Sequence, residues 1–106
     1  MARYLFIARY ASDGIGGIVS AGGTARRTAV ETMAASVGGR VESFDFAFGG
    51  DDLYTACSSR PTGRAAAVGL AANSSGVVSV RTVVLVTPEE IDAAAAQTVN
   101  YTPPGA

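Results

Sequence analysis

The sequence predicts an α+β fold in which strands and helices alternate as β-α-β-β-α-β, followed by one short helix. Three observations carry this reading. Four segments, Arg3–Tyr10, Arg40–Phe48, Asp52–Ser58 and Val77–Val86, are rich in the β-branched and aromatic residues that suit a pleated, half-buried surface. Two stretches between them, beginning near Thr24 and at Pro61, space small and apolar residues as helices do and end at glycines. The middle two strands are separated only by Gly49-Gly50-Asp51, a length suited to a hairpin.

In Arg3–Tyr10, Tyr4, Phe6, Ala8 and Tyr10 alternate with Leu5, Ile7 and Arg9. Both sets are mainly apolar, so the strand is predicted to be covered on both faces. Ser12–Gly23 holds five glycines and the turn signal Asp13-Gly14. Because each glycine costs about 1 kcal/mol in a helix, only a weak helical turn around Ile15–Ala21 is expected. The first firm helix starts near Thr24, capped by that residue or by a Thr28-x-x-Glu31 box one turn later. Val30, Met33, Ala34 and Val37 share one of its faces, and Gly38-Gly39 stops it. Along Arg40–Phe48, Phe44, Phe46 and Phe48 point one way, and Val41, Ser43, Asp45 and Ala47 the other. Asp52–Ser58 returns as the hairpin partner. Pro61 opens a second helix reaching about Asn73, whose alanines allow close approach to a sheet. Thr87-Pro88-Glu89-Glu90 begins a short helix ending near Gln97, and Val99–Ala106 is read as an extended tail. This order is the ferredoxin-like arrangement, one antiparallel sheet with both helices on one face. No repeat, charge run or linker divides residues 1–106, so one domain is expected.

Absences narrow the chemistry. The 106 residues contain no His, and every base is an arginine. There is therefore no imidazole base, no histidine metal ligand, and no lysine for a Schiff base or a phosphate loop. Cys57 is alone, so it forms no internal disulfide or thiolate cage, and its flanks carry no base. A small buried side chain is the expected role, with no metal or cofactor. The lone cysteine and the short N-terminal apolar run predict a cytoplasmic chain without a signal peptide or membrane span. Net charge −1 argues against a nucleic-acid partner. Only 16% of residues are charged, against about 25% in ordinary globular chains. A second copy covering excess apolar surface would account for that deficit.

The segments YLFIARY, GGTARR, VESFDFAFGGDD and LVTPEEIDAA…NYTPPGA resemble the GYD domain family along essentially the whole chain. The resemblance implies a small dimeric α+β barrel of mostly unassigned activity. Its Phe-Gly-x-Tyr-Asp turn is matched by Phe48, Gly49 and Asp52, whereas Asp51 stands at the tyrosine position.

A sheet with both helices on one face must bury or expose the other. Here the strands lack apolar-in, polar-out alternation, which predicts sheet-to-sheet packing in a closed dimer, and the resemblance implies that this dimer is a dimeric α/β barrel. A cleft between sheet and helices is then expected to hold a small anionic or aromatic metabolite. Tyr4, Phe6 and Tyr10, Asp45, Tyr54 and Arg81 are its candidate lining residues. Asp45 interrupts an apolar strand: inward and desolvated it would serve as a base, and outward it would face solvent or pair with Arg81. Arg26 and Arg27 follow Gly22-Gly23 at a helix start, where they could hold a carboxylate or phosphate. Alternatively they are solvated or pair with Asp51, Asp52 or Glu31. The functional expectation is a homo-oligomeric binding protein. The alternative is a cofactor-independent isomerase, cyclase or monooxygenase using Asp45 as base, and a third reading is a subunit that binds another protein.

Overall fold

A computed structural model describes residues 2–60 and 62–105. The elements are β1 (Ala2–Tyr10), α1 (Ser12–Ala21), α2 (Gly23–Ser36), β2 (Arg40–Phe46), β3 (Leu53–Ser59), α3 (Thr62–Ser74), β4 (Val78–Leu85) and α4 (Pro88–Ala95). The sheet order is β2-β3-β1-β4, and all neighbouring strands are antiparallel.

Tyr4, Phe6 and Ala8 of β1 stand beside Cys57, Thr55 and Leu53 of β3. On this side they pack with Ala65, Val68 and Ala72 of α3 to form the core. Val30 and Ala34 of α2 are buried, as helical spacing predicts. The alternate residues Leu5, Ile7 and Arg9 point to the face away from the helices. There Ile7 and Ala56 are buried by their neighbours, whereas Tyr54 is 38% and Val83 40% exposed.

Three local readings change. The glycine-rich segment forms a full ten-residue helix, α1, rather than a weak turn. Gly14 is the reason it can sit where it does. A Cβ there would lie 2.5 Å from the Val77 carbonyl oxygen, and that same oxygen accepts the Ala11 N–H at 2.9 Å. Tertiary approach has overridden propensity. At α2 the cap is Gly22, with φ +89°, and not Thr24. Thr28 lies inside the helix, where its hydroxyl donates to the Thr24 carbonyl. In β2 the register shifts between Val41, opposite Cys57, and Ser43, opposite Ala56. This bulge turns Val41 to the core side together with Phe44, instead of opposing it. Phe48 lies beyond the strand and is fully exposed.

The other ends follow the expected chemistry. Gly38, with φ +74°, terminates α2 as the Gly39 N–H bonds to the Ala34 carbonyl at 2.8 Å. Asn73 ties α3 to β4, its amide bridging the N–H and carbonyl of Val80. Thr87 and Glu90 form the reciprocal capping box of α4. The proline expected to open α3 lies outside the described residues, as does the last residue of the tail. Residues 98–103 have no regular secondary structure.

Candidate functional site

Strand alternation separates the expected lining residues into two groups. Tyr4, Phe6 and Tyr10 face the helices, and Arg26 reaches them from α2. Asp45, Tyr54 and Arg81 fall on the helix-free face. Register aligns Asp45 with Tyr54, Tyr54 with Ile7, and Ile7 with Arg81, one row across all four strands. A side-chain period of 2 forbids both groups from sharing one cleft within a single chain.

The helix-side group is built around Tyr10 and Arg26. Tyr10 ends β1, and its backbone N–H donates to Asp52 Oδ2 at 2.8 Å, which fixes the strand end against the β2–β3 turn. The α2 start lies close to β2, because a Cβ on Gly23 would meet the Phe46 ring at 2.9 Å. One turn into α2, the half-buried Arg26 lies with its guanidinium carbon 5.7 Å from the Tyr10 ring centroid. Its Nε donates to the Tyr10 hydroxyl at 3.3 Å. This is a cation–π contact with one long hydrogen bond, which leaves other guanidinium N–H groups for a ligand.

Around this pair lies a cleft of about 470 Å³ between α1, α2, α3 and the ends of β1 and β4. Gly14, Gly17, Ala25 and Ala72 leave the room, while Ile18 and Met33 supply apolar wall. Asp13 also lines it, so the cleft carries one guanidinium and one carboxylate. Beneath is a cavity of about 60 Å³ against Tyr4 and Phe6. Tyr10, Arg26, Met33, Ala72 and Val78 line both spaces. The inner one has room for a few waters and not for an aromatic ring. Ser58 and Ser59 also line it, and among the described residues their buried hydroxyls have no hydrogen-bond partner.

The helix-free group is more polar. Arg81 pairs with Asp51 at 2.9 Å, and the Tyr54 hydroxyl donates to the same carboxylate oxygen at 3.5 Å. Arg9 donates to the Gly50 carbonyl. An open hollow of about 440 Å³ lies over Ile7, Arg9 and Ser79 beside that ion pair. Asp45 is exposed and is not the partner of Arg81. Arg27 is exposed and lines neither helix-side space. Asp51 and Asp52 tie the turn to the sheet: Asp51 reaches Arg81 of β4, and Asp52 donates its N–H to the Ala8 carbonyl of β1 while its own carbonyl accepts from the Ala47 N–H.

Cys57 is buried in the core. Burial pushes its thiol pKa up and the Glu42 charge adds to the rise, against a lowering side-chain contact with Thr55. Among the described residues no cluster of three or more Cys, Asp or Glu side chains is arranged to hold a metal ion. Among them, too, no helix is long and apolar enough to cross a membrane. Gly14, Gly17 and Met33 line the cleft although none is among the expected lining residues: Gly14 reads from sequence as part of a turn, and Met33 as one of the apolar face of its helix. The only signal for the glycines was their density, which reads equally well as a loop.

The family model described as GYD domain matches residues 4–95. No curated protein and no solved structure matches the chain.

Proposed function

Because the chain belongs to the GYD domain family, we propose that it acts as a homo-oligomer binding a small aromatic or apolar monoanion between its sheet and helices. The observation that carries this reading is the Tyr10–Arg26 pair set in a cleft of about 470 Å³ with small-residue walls. A guanidinium already stacked on a ring offers a planar fork to a carboxylate and a flat surface to an aromatic body. Asp13 on the same lining disfavours multiply charged anions by like-charge repulsion. Gly22 caps α2 without a side-chain hydrogen bond and also lines the cleft, so backbone N–H groups there add to the attraction for an anion.

The helix-free face supports the oligomer reading. Leu5, Ile7, Ala56 and Val83 form an apolar centre there, with Arg3, Arg9, Arg81 and Asp45 around it. In this reading two ferredoxin-like units join through that face as a dimeric α/β barrel, with α1 as an addition to the basic unit. The cofactor-independent enzyme with Asp45 as base is the weaker alternative. Asp45 is exposed, and only a partner's face would desolvate it.

Thermal denaturation with benzoate, indole-3-acetate and inorganic phosphate tests the binding reading. A rise in midpoint with the arene carboxylates and none with phosphate supports it, and no shift with any of the three rejects it. Sedimentation velocity at low micromolar concentration tests the oligomer, and a monomer rejects that part alone.

A further inference from the structure

We propose that α4 and the segment after it form an arm that docks on the body of a second copy of this chain. Every residue from Pro88 to Gly105 is exposed. Ile91 is 54%, Val99 74% and Tyr101 70% exposed, and α4 has no buried residue. The Cα radius of gyration is 16.7 Å, against about 13 Å for a compact domain of this size. The long axis measures 54 Å where the other two are 32 and 24 Å, so the excess lies along one direction. An eight-residue helix is too short to be stable in water on its own, whatever its cap. Its order therefore implies a surface beneath it.

Charge points to this chain's own body as that surface. The arm carries Glu89, Glu90 and Asp92, three of the nine acidic residues, and none of the eight arginines. Arm side chains thus sum to −3, while the remainder of the chain sums to +2. Ile91, Ala94 and Ala95 share one side of α4 at helical spacing, an apolar stripe flanked by the acids. The arm leaves from Leu85 at the end of edge strand β4, beside the exposed Val84 and Val86. An uncovered β-branched edge continued by an apolar stripe suits contact with another copy better than with solvent.

The inference rests on the homo-oligomer reading, and the experiment separates the two. Full-length chain labelled with ¹⁵N is mixed with unlabelled Gln97→Cys chain carrying a nitroxide, since the buried Cys57 does not compete for the label. Broadening of body amides in the labelled chain is the expected result. If sedimentation shows an oligomer but the mixed sample shows no broadening, the arm proposal fails and the oligomer stands. If sedimentation shows a monomer, both fail. Ile91→Asp, on an exposed position that leaves the core intact, is expected to weaken self-association by about tenfold. An unchanged dissociation constant overturns the proposal.

Discussion

Replacing Arg26 by glutamine removes the one positive charge in the helix-side cleft and keeps a polar side chain of similar reach. Two losses follow, and they are measured separately. In the free protein, the contact with the Tyr10 ring at 5.7 Å and the 3.3 Å hydrogen bond to its hydroxyl disappear. The first contributes about 0.5–1 kcal/mol and the second is long, so the total cost is about 1 kcal/mol, a midpoint drop of about 5 °C. In the complex, the lost bond is a charge-assisted one to a carboxylate, worth about 1.5–3 kcal/mol, so affinity falls about 10- to 150-fold. Titration calorimetry with the best arene carboxylate reads the second effect, and thermal denaturation without ligand reads the first. Arg40→Gln makes the same change in net charge at an exposed site on β2, outside the cleft. The reasoning is refuted if folded Arg26→Gln binds within twofold of the parent, or if Arg40→Gln weakens binding equally. Arg26→Lys should fall between, because it keeps charge but loses the planar fork.

Other perturbations test other parts of the structure. Gly14→Ala should destabilise by about 1–3 kcal/mol, because its Cβ would meet the Val77 carbonyl oxygen at 2.5 Å. Gly16→Ala meets nothing within 4 Å and should stabilise by about 0.5–1 kcal/mol, and chemical denaturation of the pair checks both signs. Cys57 has a folded-state pKa above its ordinary value of 9.0, so its contribution to stability is complete below that value and is lost as pH rises through the folded one. The parent should therefore lose stability above about pH 9 relative to Cys57→Ala, and its thiol should react slowly with an aromatic disulfide reagent in the native state. Val83→Asp, on the helix-free face and 40% exposed, should turn the proposed oligomer into a folded monomer. Sedimentation together with circular dichroism checks both halves, and an unchanged oligomer removes that face from the interface.

Several features were legible because they are local. The four strands, the two helices with apolar spacing, the stop at Gly38 and the Thr87–Glu90 box depend on short-range sterics and hydrogen bonds, and the structure has each of them. Strand alternation also told which β1 residues share a face, so Tyr4, Phe6 and Tyr10 were rightly grouped. The candidate site was only half legible. Grouping Asp45, Tyr54 and Arg81 with them required knowing which face each neighbouring strand presents, and that is set by pairing register. The bulge in β2, which turns Val41 to the core, has no signature in RVESFDF.

From its residue order alone the chain determined where the four strands, α2, α3 and α4 form, that a metal-binding histidine and a catalytic lysine are impossible, and that charged residues are few for its size. Tertiary structure alone decided that a glycine-rich stretch becomes α1 and that Arg26, not Arg27, stacks on Tyr10. It alone set Asp45 and Arg81 on the opposite side of the sheet from that pair. The difference is one of range: backbone preference and capping act over a few residues. A Cβ-free approach to a carbonyl 63 positions away, as at Gly14 and Val77, depends on which surfaces the whole chain brings together.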